Sequence, residues 1–366
     1  MAIFAPSEEG PWLFGRGTDL AAFGGSALAS FVLLGVGAAF GLLETETTPL
    51  WVFLGCILAV DVAHVWSTAF RVYLDGEEVH RRRLLYLGAP LLVYAGGVAL
   101  HSWSGHAFWR VLAYAAVFHF VRQQYGWVAL YRRRARESHR IDRVLDAVTI
   151  YTATLYPVLW WHGHLPRRFS WFVQDDFVAL SAPLADALLP LYWLVLLLFV
   201  GRQFQLFATG APVNHGKVLV VLTTWACWWV GIMAFDSDYA FTVTNVLIHG
   251  VPYLVLTYRY GRARGRAIPG RTLATLLRGG VPAFLGFVLL AAFVEELLWH
   301  RFVWHEYEGL FGEGWELSDA ALRFLVPLLA LPQATHYALD GFIWKRNTNP
   351  TLASALTADS HPQHPS

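Results

Sequence analysis

The sequence predicts an all-α, polytopic transmembrane helical bundle of about ten spans, with both termini cytoplasmic. Three observations predict it. Of 366 residues, 56% are hydrophobic and only 14% charged, against about 25% charged in an average soluble domain. Ten stretches are apolar over most of the roughly 20 residues that a helix needs to cross the hydrocarbon of a bilayer. Lys and Arg also alternate between connections: with the N-terminus inside, the inner segments hold 21 of them and the outer segments four, Arg167, Arg168, Arg301 and Arg323. Basic residues are retained on the cytoplasmic side, and an even number of spans returns the chain to the side it started from.

The spans centre on 21–43, 50–70, 84–102, 108–130, 145–161, 183–201, 217–235, 239–258, 280–300 and 321–344. The first is rich in glycine (Gly24, Gly25, Gly35, Gly37, Gly41), which suits close helix packing. Glu8, Glu9 and Asp19 before it do not make the basic region of a signal peptide, so it reads as a retained helix. The second carries Asp61, His64 and Trp66. A short Ser-Gly-His connection leads from the third to the fourth, which carries Trp109, Arg110, His119, Arg122, Gln123, Tyr125 and Trp127. After the fifth, the outer segment 162–182 combines Phe169, Trp171 and Phe172 with Asp175 and Asp176 and reads as an interfacial element, its His162 and His164 as surface residues. The sixth and seventh are largely apolar. The eighth carries Asn245 and His249 and is interrupted by Gly250 and Pro252. The ninth ends in Glu295, Glu296 and His300, expected at the interface, with an outer proton path or a second metal site as the sharper reading. An acidic, aromatic segment, 301–320, precedes the tenth, which carries Pro332, His336, Tyr337, Asp340 and Trp344. Residues 1–346 thus read as one transmembrane domain and 347–366, rich in Pro, Thr, Ser and Ala, as a disordered cytoplasmic tail.

The composition excludes disordered, collagen-like and disulfide-scaffold proteins. A net charge of +1 gives no electrostatic footprint for nucleic acid. Cys56 and Cys227 lie far apart in apolar runs, so neither a disulfide framework nor a thiolate metal motif is expected. The expected partners are the lipid bilayer and a lipophilic small molecule, and the expected location is a bacterial inner (cytoplasmic) membrane.

Ionisable residues inside a membrane are expensive, about 2.5–3.5 kcal/mol each on insertion scales, and mark functional sites by default. His64, His119, His249 and His336 lie on spans two, four, eight and ten, which all run from outside to inside. Each falls at or slightly inward of the middle, so the four share one depth. Each also has polar company three or four residues away, on its own helix face: Asp61 for His64, Arg122 and Gln123 for His119, Asn245 for His249, and Asp340 for His336. Such neighbours orient an imidazole and fix its tautomer, although a buried His–Asp ion pair without metal gives the same pattern. With four imidazoles and nearby carboxylates, iron, zinc or copper suits the set better than a hard cation. The expectation is a metal centre, iron by preference, with His64, His119, His249 and His336 as ligands. Asp61, Arg122, Gln123 and Asp340 would orient them or take part in catalysis, with Tyr125 and Tyr337 as nearby hydroxyls. Trp66, Trp109, Trp127 and Trp344 fit either a substrate route or, more simply, lipid-facing belts.

Two other classes use the same residues. A proton- or ion-coupled transporter needs buried His, Asp and Arg at mid-membrane. A b-type haem electron carrier needs two histidines; covalent c-type haem is excluded because no Cys-x-x-Cys-His occurs. The His-x-x-x-His and His-x-x-His-His boxes of many membrane oxygenases and desaturases are also absent.

The last span, from His336-Tyr-Ala-Leu-Asp340 through Gly-Phe-Ile-Trp-Lys345, resembles the His-x-x-x-Asp plus aromatic-basic ending of the bacterial membrane-embedded β-carotene dioxygenases, the Brp/Blh family. The resemblance covers about ten residues and extends loosely to Asp61 and His64. It implies a non-haem iron held by histidines from several spans and oxidation of a lipid or isoprenoid. The family's early Pro-His-Gly-Ala-Leu-Asp and its paired-His element are not present.

Overall fold

A chain this apolar must pair its backbone N–H and C=O groups internally, and in a bilayer the local way to do so is a helix. The computed structural model describes residues 10–45 and 48–345, and all its regular elements are helical. Seven helices are long and apolar enough to cross a membrane: Arg16–Ala39 (α1), Leu50–Arg71 (α2), Arg83–Trp103 (α3), Ala182–Ala208 (α6), His215–Ala234 (α7), Asp238–Ala267 (α8) and Thr272–Trp304 (α9). Four other helices of more than ten residues follow the remaining windows, Gly105–Arg134 (α4), Arg140–Gly163 (α5), Asp319–Leu329 (α10) and Leu331–Ile343 (α11), with short helices between. They coincide with the remaining sequence windows but are more polar or interrupted; the last window breaks at Ala330, just before Pro332. Pro252, by contrast, sits inside a continuous α8. The tail 347–366 lies outside the described residues.

The chain forms two compact units. Of the described residues, unit one gathers those up to Thr48 and Phe120–Pro252; unit two gathers Pro49–His119 and those from Tyr253 to Lys345. Helices α4 and α8 therefore contribute residues to both.

In unit one, Gly37 of α1 brings the backbone close to Tyr239: a Cβ there would lie 2.2 Å from the ring. The Tyr239 hydroxyl donates to the Leu33 carbonyl at 2.6 Å. Gly24 meets only a Leu219 methyl at 3.6 Å and Gly35 nothing within 4 Å, so one of the five glycines carries the close approach that the sequence suggested. At the end expected inside, Asp146 pairs with Arg132 and with Lys217 (3.0 Å), and Glu137 with Lys217 (2.8 Å) and Arg132 (3.1 Å). The basic loop is thus neutralised where it meets the bundle.

In unit two, α2 packs on α9 through Phe53, Ala63, Phe70, Phe284, Val288 and Ala292, with the Phe70 and Phe284 rings 4.8 Å apart. At its end, the fully buried Arg71 donates to the Ile343 carbonyl of α11 at 2.5 Å and to the Tyr260 hydroxyl at 3.3 Å, and faces Glu78 at 3.3 Å. This ties the end of α2 to the end of α11. One face of α3 stays exposed through Leu84, Leu87, Leu91 and Leu92, as a lipid-facing helix requires. Two stretches are wound as π-helix, Phe53–Val62 in α2 and His300–Trp304 at the end of α9. Such widened turns are frequent at functional sites.

Candidate metal centre

Helix α2 returns from π to regular winding at Ala63, and the next residue is His64. His64, His119 and His336 are all buried to within 2% of full enclosure, and unit two brings them together. The Nε2 atoms of His119 and His336 lie 3.1 Å apart. The His64 ring sits 5.0 Å from that of His336, edge to face, and 6.4 Å from that of His119, nearly parallel to it.

Each ring also presents its other nitrogen to an oxygen. Nδ1 of His336 is 2.7 Å from Oγ1 of Thr68. Nδ1 of His119 faces Oδ2 of Asp340 and Nδ1 of His64 faces Oδ1 of Asp61, each at 3.6 Å. These last two are ion-pair rather than hydrogen-bond distances. The Thr68 hydroxyl can either donate to Nδ1 of His336 or accept from it, so the tautomer of that ring follows from what its Nε2 meets.

Aromatic groups close the trio. Tyr253 stands edge-on to His64 and His336, and its hydroxyl lies 3.3 Å from Thr68 and accepts from the Trp344 indole at 3.3 Å. Tyr337 stacks over His119 with centroids 4.9 Å apart.

Two imidazole nitrogens 3.1 Å apart either share one proton or face a common cation. With metal–nitrogen bonds of about 2.1 Å, that separation subtends about 95° at the ion, a normal angle between adjacent ligands. The donors present therefore fit a borderline transition metal. They fit a bis-His haem poorly, because ligands on opposite faces of one iron stand about 4 Å apart, twice a bond length.

Several expected partnerships fall differently. Asp340 faces His119 across the helix gap rather than its own helix neighbour His336, whose Nδ1 is taken by Thr68. Asn245 does not hold His249; in the widened turn Thr242–Val246 its amide turns back to the Phe241 carbonyl (3.1 Å) and Thr244 (3.1 Å). His249 belongs to unit one, is fully buried and stacks on Phe120 at 3.6 Å. Gln123, in the same unit, donates to its backbone carbonyl at 2.8 Å. Arg122 is exposed, donates to the Tyr151 hydroxyl and lies over the Tyr125 ring at 5.2 Å. A long cation can reach polar and aromatic company at the surface more cheaply than it can be buried.

Other surface expectations are also corrected. Glu295 and Glu296 are buried within unit two rather than on its surface. His162 is buried against Phe177, with Nδ1 2.6 Å from the Val158 carbonyl. Trp66 donates to Glu295 at 2.6 Å, Trp109 packs on Trp299 and Trp304, and Trp127 is buried against Phe23, so none of the three is a simple lipid-facing belt residue. Thr68 and Tyr253 escaped sequence reading, although each follows a singled-out histidine by four residues, His64 and His249.

No protein-family model, curated protein or solved structure matches the chain.

Proposed function

We propose that the protein is a membrane-embedded, metal-dependent oxidoreductase acting on a lipophilic substrate such as a lipid or isoprenoid, with non-haem iron held by His64, His119 and His336. One observation carries the reading: three buried imidazoles from three helices meet, each with an oxygen at Nδ1. Oxygens in that position orient ligating histidines and raise their basicity. Iron bound there supplies redox chemistry and an open position for a small oxidant. The protein's part is to hold the rings through Asp61, Thr68 and Asp340, to exclude water through Tyr253 and Tyr337, and to admit an apolar substrate from the bilayer.

The seven apolar helices make the protein an integral, multi-pass membrane protein. We further propose that α4, α5 and the α10–α11 pair also span, giving ten crossings with both termini cytoplasmic, in a bacterial inner membrane.

The test is the metal content and visible spectrum of the purified protein. Stoichiometric iron without a Soret band is expected, and His64→Ala and His336→Ala should each lose it. Wild-type protein with no metal would sink this reading and leave proton- or ion-coupled transport through the same buried groups; a Soret band would make the protein a haem carrier.

A further inference from the structure

We propose that an open cleft between the short helix Gly76–Arg81 and the start of α9 binds the headgroup of an anionic phospholipid. The cleft has a volume of about 480 Å3 and is lined by Gly76, Glu77, His80, Arg81 and Arg271, all of them exposed. That volume lies in the range of small-molecule sites. All five residues belong to unit two. Arg81 stands two residues before α3, and Arg271 immediately before α9. Both helices are long and apolar enough to cross a membrane, so the ends that frame the cleft fall at the level of the lipid headgroups.

The lining is positive, and its cations are held in place. Arg81 is fixed by Glu78, with Nη2 2.7 Å from Oε1 and Nε 3.0 Å from Oε2. Arg271 faces Glu77 at 3.6 Å, beyond hydrogen-bond distance, and its side chain is 62% exposed. Its guanidinium can therefore take a pair of phosphate oxygens, the bidentate contact for which arginine is suited. Glu77, the one carboxylate on the wall, is held by Arg264 at 2.6 Å. Around the cleft, the carboxylates Asp75, Glu77 and Glu78 face four arginines, Arg71, Arg81, Arg264 and Arg271. Arg82 and Arg83 follow at once and add to the excess. His80 supplies a further ring N–H.

A lipid rather than a soluble phosphate fits, because exposed apolar surface continues from the cleft along both helices. On α3, Leu84, Leu87 and Leu91 are 86%, 55% and 69% exposed. Three and four residues apart, they form one stripe that begins three residues after Arg81. On α9, Val281 and Leu285 are also exposed. A phosphate held in the cleft leaves its acyl chains beside side chains that a bilayer has to cover in any case. Basic pockets at the ends of membrane helices select anionic headgroups for this reason: phosphate is drawn to the arginines while the tails stay in hydrocarbon.

The site stands independently of the iron reading, and its test needs no metal. Delipidated full-length protein in a neutral detergent is titrated with phosphatidylglycerol, or with phosphatidylcholine, and bound lipid is counted by native mass spectrometry. One tightly retained phosphatidylglycerol per chain is expected, which inorganic phosphate does not displace and phosphatidylcholine does not replace. Arg271→Ala and His80→Ala should each weaken its retention about five- to tenfold, and either suffices if the other does not fold. Glu77→Gln, which removes the carboxylate from the wall, should retain the lipid at least as tightly as wild type. Arg140→Ala, in a basic loop of unit one, should leave retention unchanged. Equal retention of phosphatidylcholine, displacement by inorganic phosphate, or the same retention in Arg271→Ala and His80→Ala as in Arg140→Ala would overturn the proposal.

Discussion

Asp340 and Thr68 each act on a histidine that belongs to another helix. Asp340 of α11 stands behind His119 of α4, and Thr68 of α2 stands behind His336 of α11. The three helices are thereby cross-linked through the backs of the rings. Removing such an oxygen leaves the imidazole present but poorly aimed, a loss that typically weakens metal binding 10–100-fold. Asp340→Asn and Thr68→Ala should therefore each lower iron retention by about one to two orders of magnitude with the helical circular-dichroism signal unchanged, and Thr68→Ser, which keeps the hydroxyl, should restore it. Equal retention in all three variants would show that these oxygens do not position the rings. At this scale the sequence discloses which polar groups are placed inside the bundle better than which groups meet. Spacing along one helix singles out Asp61, His64, His119, His336 and Asp340, and all of them lie in or beside the trio. It cannot disclose a partner on another helix, so Asp340 was matched to His336 by an i, i+4 rule that sees one helix only.

Arg71 shows how an element end can set the register of the site. Seven residues after His64, its guanidinium holds the last carbonyl of α11, seven residues after His336. The helices that carry His64 and His336 are thus pinned together at these ends, and Glu78 completes the pin from the short helix Gly76–Arg81. Burial works to raise the Glu78 carboxyl, but hydrogen bonds from Arg81, the charge of Arg71 and the Tyr86 hydroxyl outweigh it and hold the group below the usual carboxylate range. The stability from this group is therefore present above the unfolded pKa, near 4.3, and is lost as pH falls through the depressed folded value. Thermal stability in detergent should drop as pH falls below about 4, and Glu78→Gln should flatten that drop while lowering stability at neutral pH. An unchanged acid profile in Glu78→Gln would remove Glu78 from the pin. In unit one the corresponding element-scale test is Gly37→Ala. Its Cβ has no room beside Tyr239, so a loss of about 1–3 kcal/mol is expected; Gly35→Ala, with open space around it, serves as the control. Sequence reading caught the glycine-rich pattern but not which glycine bears the contact, because helix phase relative to a neighbour is a property of packing.

For the whole molecule, the number of crossings decides which side carries the basic loops. Apolarity alone selects seven helices. It passes over α4 because His119, Arg122, Gln123 and Gln124 lower its hydropathy, and over the α10–α11 pair because Ala330 divides it. Polar groups of the kind that could make a site thus also keep a helix below the apolarity of the seven. If α4 and α5 stayed on one side, their crossings would cancel and the rest of the topology would not change. The loop at Arg136, however, would lie outside, and so would Lys345 if α10–α11 also failed to cross. The six arginines from Arg132 to Arg143, with Lys345 and Arg346, would then leave the inner side, and the 21 to four division of these residues would become thirteen to twelve. That division would abolish the asymmetry by which membranes orient proteins. Single cysteines in a background lacking Cys56 and Cys227 can separate the two. A cysteine at Arg136 or Lys345 should resist a membrane-impermeant thiol reagent in intact cells and react after permeabilisation, while one at Arg168 should react in both. Labelling of the Arg136 position in intact cells would reduce the bundle to fewer spans and remove the shared depth on which the four-histidine reading was built. The metal content of the His64 and His336 variants would then have to support the centre without it.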